Sequence, residues 1–191
     1  MIVCLTSKIR SAFLWVARLR GRYYSGNYCN YQAPLICNGQ GKVSLEEGVG
    51  IGYSLAPKAG NGAVILQARP ATVSISIGAR SNLSNNVCIS ACKSVSIGKD
   101  CLIGNGVLIF NSDLHRTCPI KRRECPANDA AVSIAGNVWL GSRVIILKGV
   151  SIGIKSVVAA SSVVTRDIPV NSIAAGNLAR VIRRLEGGSV C

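Results

Sequence analysis

The chain has a single histidine, His115, in 191 residues, and no aspartate or glutamate before Glu46. One imidazole excludes a zinc centre built from several histidines. Aromatic residues make up only 5%, too few for the aromatic-rich basic stripe that stacks single-stranded nucleic acid, and no nucleic-acid motif is present. No apolar run reaches the length of a membrane-spanning helix. The longest run near the amino terminus, Ala12 to Ala17, is also shorter than the apolar core of a secretory signal. The nine cysteines are an odd number with no close C-x-x-C pair. They read as reduced thiols in a cytosol rather than as a disulfide framework. Cys88 with Cys92, or Cys118 with Cys125, could supply two ligands each, which falls short of a metal centre, and no metal is expected.

What is present points to one folded domain with a sizeable core: 49% of residues are hydrophobic and the mean hydropathy is +0.36. Lysine and arginine number 22 against 8 acids, a net charge of +14. That imbalance favours an anionic partner without choosing among nucleic acid, a membrane surface and a phosphorylated small molecule. Near the start, Ile2, Leu5, Ile9, Phe13, Val16 and Leu19 fall at helical spacing, with Lys8, Arg10 and Arg18 on other faces. Two readings of this helix stay open: a cap on the end of the fold, or a cationic helix in peripheral contact with an anionic membrane. The expected location is accordingly the cytoplasm, including the inner face of the membrane under the second reading.

A six-residue period settles the architecture. Ile134, Leu140, Ile146, Ile152, Val158 and Val164 recur every six residues, and two places before each stands Val132, Val138, Val144, Val150, Ser156 or Ser162. An aliphatic residue with a smaller partner at i−2 is one short strand turning both side chains inward. Small residues such as Ala135, Gly141, Gly153 and Ala159 follow the aliphatics, where sharp turns and close coil-to-coil approach are required. Three strands and three turns close a triangular coil. Upstream, Ile77, Leu83 and Ile89 keep the phase, which skips by eight to Ile97 and continues to Ile103 and Ile109. The two extra residues, around Ala91 to Lys93, are expected to bulge from a corner. Earlier, Leu45 shares a phase with Ile51, and Ile65 shares another with Ala71 and Ile77, so the solenoid is expected to begin near residue 36.

Such a solenoid buries its aliphatics only by stacking coils, and it needs a cap at each end. The reading is therefore a basic amino-terminal cap over 1–35, a parallel β-helix over 36–175 and a basic tail or helix over 176–191. The repeat breaks once, at 110–130, FNSDLHRTCPIKRRECPANDA, and His115 stands inside the break. Imidazole titrates near neutrality and is the only candidate of its type for a general base. Asp113, two residues earlier, would project to the same side in an extended segment. Either it orients the imidazole or hydrogen-bonds an acceptor, or it caps a turn. Trp139 precedes an inward leucine, so its ring is expected to face outward.

The stretch NVWLGSRVIILKGVSIGIKSVVAASSVVTRDIPVNSIAAGNLARVIRRL resembles the signature half of hexapeptide-repeat acyltransferases. Within them it is most similar to the galactoside and maltose O-acetyltransferases and to the O-acetyltransferases of capsule, O-antigen and colanic acid synthesis. The resemblance is strong over about 70–185 and loose over 36–70. It implies an all-β fold, a left-handed parallel β-helix with short terminal helices, and a homotrimer whose active sites lie between subunits. Two departures touch backbone that lines the family's cofactor groove: Ala159 and Ser161 replace two glycines, and Leu178 replaces a proline.

The implied activity is acetyl-CoA-dependent transfer of an acetyl group to a hydroxyl of a sugar or surface-polysaccharide precursor. His115 would act as base in direct attack within a ternary complex, and Asn86 would hold the acceptor. By the same resemblance Ser142 and Ala160 would meet the pantetheine through backbone groups. Thr165 and Arg166 would sit beside the nucleotide, and Arg180 and Arg183 would contact its phosphates, to which the guanidinium fork is suited. Trp139 would stack on the coenzyme or pack against a neighbouring subunit. Two alternatives stand beside this reading: N-acetylation of an amino sugar, which uses the same base and groove, and a non-catalytic basic scaffold or nucleic-acid binder. Nucleic acid is not an expected partner. Carbonic anhydrases share the solenoid, but one histidine excludes their zinc site.

Overall fold

A computed structural model describes residues 22–123 and 128–185. The expected amino-terminal helix lies outside the described residues. Twenty short strands wind into six coils of three strands each, followed by a closing hairpin. The first coil holds β1 (Tyr23–Ser25), β2 (Asn30–Tyr31) and β3 (Leu35–Gly39), and the second β4 (Lys42–Leu45), β5 (Gly50–Ile51) and β6 (Val64–Ala68). The third holds β7 (Ser74–Ile77), β8 (Asn82–Leu83) and β9 (Cys88–Ala91), and the fourth β10 (Val95–Ile97), β11 (Leu102–Ile103) and β12 (Leu108–Phe110). Coils five and six follow as β13 (Val132–Ile134), β14 (Trp139–Leu140), β15 (Ile145–Leu147), then β16 (Ser151–Ile152), β17 (Val157–Val158) and β18 (Val163–Val164). The hairpin is β19 (Ser172–Ala175) with β20 (Arg180–Arg184).

Every third strand stacks in parallel, which makes three faces of a prism. Face A runs β1-β4-β7-β10-β13-β16, face B runs β2-β5-β8-β11-β14-β17-β19-β20, and face C runs β3-β6-β9-β12-β15-β18. Side chains alternate in and out along each strand, so the register builds inward columns: Leu45, Ile77, Ile97, Ile134 and Ile152 on face A, and Leu66, Ile89, Ile109, Ile146 and Val164 on face C. These side chains are buried, as are the small partners Ser156 and Ser162. The two serines are satisfied inside, because Ser156 Oγ donates to Pro169 O at 2.7 Å and Ser162 Oγ accepts from Gly176 N at 3.1 Å.

Coil spacing explains the small corner residues. A Cβ added at Gly141 would stand 2.5 Å from Ala160 N in the next coil, closer than packed atoms approach. Ser161, which replaces a family glycine, takes φ 60, the left-handed region that costs a non-glycine residue energy.

Three expectations are corrected. The solenoid begins at Tyr23 rather than near 36, because β1, β2 and β3 already pair with the second coil. The inward residues of β6 are Val64, Leu66 and Ala68, while Ile65 faces outward and Ala71 is exposed. A twelve-residue detour between β5 and β6, residues 52–63, shifts the phase there. Finally, Arg180–Arg184 is a strand and not a helix. It pairs antiparallel with β19, which satisfies backbone groups that the edge of a parallel sheet would otherwise present to water. Among the described residues no helix is long and apolar enough to cross a membrane.

Candidate active site

Two segments leave the prism at its corners, and the second carries the histidine. Residues 111–131 run from β12 on face C to β13 on face A. Their foot is Asn111, fully buried. Its Oδ1 accepts from Cys92 N at 2.8 Å and its Nδ2 donates to Lys93 O at 2.6 Å. The two-residue expansion around Ala91 to Lys93 is thus the socket into which the base of the histidine segment plugs. A bridge between Ser112 and Asp129 draws the two ends of the segment together.

Beyond that bridge the chain turns tightly. Leu114 takes φ 58, its N–H donates to Ser112 Oγ at 3.1 Å, and His115 N donates to Asp113 O at 2.6 Å. The imidazole Nδ1 lies 3.2 Å from Arg122 O. A carbonyl only accepts, so Nδ1 carries the proton and the lone pair of the neutral ring is on Nε2. Asp113, His115, Arg116, Thr117, Cys118 and Asn128 line an open cleft on this corner.

Asp113 does not touch the imidazole through its carboxylate. Its Oδ2 pairs with Lys148 Nζ, with both side chains about one-third exposed. Lys148 escaped the sequence reading. The signal was available, because Phe110 pairs with Leu147, so counting the repeat across the break puts residue 148 one coil above the root of the histidine segment.

The remaining candidates divide between the two edges of face C. Thr165 and Arg166 follow β18 and sit on the C–A edge, two coils beyond the histidine segment. Ser142 and Ala160 lie on the B–C edge, at the turns after β14 and β17. There Ser161 N donates to Ser142 O at 2.9 Å and Gly141 N to Val158 O at 2.8 Å, while among the described residues no backbone carbonyl takes the N–H of Ser142 or Ala160. Ser142 N and Ala160 N lie against Gly104 and Gly141 of the preceding coil, where an added Cβ would stand 2.7 Å and 2.5 Å from them. Trp139, 55% exposed, stands on the outside of face B between Leu102 and Val157, and Arg183 stands on the same face beside Ile173. Arg180 opens β20 opposite Ala175.

Asn86 is also on the B–C edge, at φ 61. With its amide oriented to satisfy both ends, it donates to Ala59 O at 3.0 Å and accepts from Ala59 N at 3.1 Å. It holds the 52–63 segment, as do its neighbours. Asn85, fully buried, accepts from Tyr53 N at 3.1 Å and donates to Tyr53 O at 2.9 Å and Ala56 O at 3.0 Å. Asn105 Nδ2 donates to Pro57 O at 2.6 Å.

Within one chain, therefore, the histidine and the Ser142 and Ala160 turns are on opposite edges of face C. The outside of that face is a continuous apolar column of Ile36, Ile65, Cys88, Leu108, Ile145 and Val163. Buried thiols nearby are inert, and burial pushes the Cys37 thiol up to about 12. No group of three or more metal-ligating side chains occurs among the described residues.

The family described as the hexapeptide repeat of succinyl-transferase matches residues 88–111 and 131–166. The galactoside O-acetyltransferase of Escherichia coli K12 is 38% identical over 111 residues, 58% of this chain and 54% of that protein. The chain thus spans about half the length, or less, of the curated relatives it matches first. A hexapeptide-repeat acetyltransferase of Vibrio cholerae, solved with acetyl-CoA, superposes with a TM-score of 0.64 at 24% identity, covering 96% of this chain and 80% of that one. A galactoside acetyltransferase solved with coenzyme A superposes with a TM-score of 0.61 at 26% identity, covering 96% and 74%. The chain carries the hexapeptide repeat over those residues and is similar to hexapeptide-repeat acetyltransferases, and its prism is the left-handed parallel β-helix of those proteins.

Proposed function

We propose that the protein is an acetyl-CoA-dependent O-acetyltransferase acting on a sugar hydroxyl, in a homotrimer whose active sites form between neighbouring chains. The observation that carries this reading is the tautomer of His115, set by the Arg122 carbonyl. An imidazole fixed that way takes a hydroxyl proton at Nε2 as the acceptor oxygen attacks. The Nδ1–H bond to the carbonyl then stabilises the imidazolium. The ring returns the proton to the departing sulfur, so it begins and ends neutral. Acetyl-CoA supplies the activated thioester carbonyl. On the donor side the Ser142 and Ala160 amides would take the pantetheine, Thr165 and Arg166 would lie near the nucleotide, and Arg180 and Arg183 would pair with phosphates. Trp139 would stack beside the arm.

Assembly follows from the separation of the two edges. Packing face C against a second chain would cover its apolar column and bring the histidine segment of one chain to the B–C edge of the next. Asp113 serves the site by anchoring that segment to Lys148, and Asn86 by fixing the edge the segment would meet.

The test is acetyl transfer to a saccharide panel read by mass spectrometry, alongside thermal unfolding with acetyl-CoA, ATP and a DNA oligomer at equal ionic strength. Saturation at a hundred times Kd stabilises the fold by about 2.7 kcal/mol. Selective stabilisation by acetyl-CoA, with transfer reduced roughly 10²–10⁴-fold in His115→Ala, is expected. Full activity in that variant would overturn the mechanism, and product that survives mild alkali would move the reading to N-acetylation.

A further inference from the structure

The cations of the histidine segment are in the wrong place for the donor's phosphates. The segment carries Arg116, Lys121, Arg122 and Arg123 against Asp113, Glu124 and Asp129, and Arg116 is already engaged in an interaction. Of its described acids, Asp113 is taken by Lys148 and Asp129 stands at the foot, in the bridge with Ser112. The segment leaves the prism at the fourth coil. The arginines assigned to the phosphates, Arg180 and Arg183, are on β20, which lies four ladder steps beyond β11 of that coil. At about 4.8 Å per step, that is roughly 19 Å along the axis. Lys121, Arg122 and Arg123 are therefore on the segment of the base, and not at the nucleotide end.

Arg122 links charge to chemistry. Its carbonyl holds His115 Nδ1 at 3.2 Å, and its Nη2 donates at 3.4 Å to the carbonyl of Thr117, a residue that lines the cleft together with His115. A planar fork in that position is built to receive a carboxylate or phosphate. An anionic group seated on that fork would hold the rest of the acceptor in the cleft that His115 and Thr117 line. Lys121 and Arg123, both exposed, add a field that draws such a molecule in.

We propose that the acceptor is an acidic saccharide, carrying a carboxylate or phosphate that Arg122 grips while His115 deprotonates a neighbouring hydroxyl. This rests on the acetyl-transfer reading above. The test pairs acidic and neutral probes on the full chain: an α2,8-linked sialic acid trimer against maltotriose, and galactose 1-phosphate against methyl galactoside. Binding is read by calorimetry without donor, and transfer by mass spectrometry with acetyl-CoA. At low salt at least one acidic probe should bind and react at least ten-fold better than its neutral partner, and the advantage should collapse as ionic strength rises. Preference for the sialic acid trimer assigns the carboxylate; preference for galactose 1-phosphate assigns the phosphate. Arg122→Gln, which keeps the carbonyl on His115, should erase the acidic-to-neutral ratio. Neutral probes that bind equally well, acidic probes that neither bind nor react, or an equal loss of acetyl-CoA affinity in Arg122→Gln would each overturn the proposal. Failure of the underlying reading appears separately, as absence of stabilisation by acetyl-CoA in the same preparation.

Discussion

Residues 52–63 and 111–131 both leave the prism at a corner, yet the scaffold grips them differently. The first is bound along its backbone by side chains of the coils beneath: Asn85 takes Tyr53 and Ala56, Asn105 takes Pro57, and Gln32 accepts from Ser54 N at 2.9 Å. The second is gripped at its root, by Asn111 and by the Lys148 pair, and the contact between His115 and Arg122 is made within the segment itself. One detour is part of the wall. The other is an arm that carries His115 away from the wall, and the difference lies in where the buried asparagines point.

That contrast is sharpest under deletion. Ser112 and Asp129 already face each other across a bridge, so replacing 113–128 by a short glycine-containing turn should leave the melting temperature within a few degrees. Acetyl transfer should nevertheless fall to background, a loss on the order of 10²–10⁴-fold or more. Removing 53–61 should do the reverse to stability, because it strips Asn85 and Asn105 of their partners inside the prism. Scanning calorimetry and a transfer assay on the two deletions decide the matter, and a prism that melts equally in both would erase the distinction.

Single substitutions follow in order of size. Asn85→Ala removes bonds to Tyr53 N, Tyr53 O and Ala56 O, and at about 1 kcal/mol for each net hydrogen bond it should cost about 3 kcal/mol in urea denaturation. Asn111→Ala loses Cys92 N and Lys93 O, about 2 kcal/mol on the same scale. It should also lower transfer, since it frees the root of the catalytic arm. A variant that lost stability and kept full transfer would show that the arm is positioned from elsewhere.

The asymmetry also explains what the sequence disclosed. Periodicity exposes whatever repeats, so Ile134 through Val164 and Ile77 through Ile109 could be placed inward by counting, and the break around His115 stood out because the phase resumed after it. The 52–63 detour hid because Ile65 and Ala71 fall in phase with Ile77 by coincidence, whereas the coil buries Leu66 and Val73. Asn85 and Asn105 hid for another reason: asparagine is common at solenoid corners, and only coordinates separate one that caps its own turn from one that reaches across to Tyr53 or Pro57. The carboxy-terminal strand was missed because VIRRL fits a helix as well as a strand, and the open edge of β19 decides between them.

The smallest expected effect tests the part of the site where residue type alone misleads. An aspartate two residues from a histidine invites the assignment of a charged partner for the imidazole, and such a partner would raise the histidine's affinity for protons. The carboxylate pairs with Lys148 instead. Asp113→Asn should therefore leave the pH dependence of kcat/KM in place, whereas an orienting carboxylate would let the profile's acid limb move to lower pH on its removal. Because each partner is about one-third exposed, the coupling in a double-mutant cycle with Lys148→Gln should be only about 0.5–1 kcal/mol. It should shrink as salt is added. Either single variant should then slow transfer by the same few-fold factor, and the double variant by no more. A shifted acid limb in Asp113→Asn alone would return the carboxylate to the imidazole and make Lys148 a bystander.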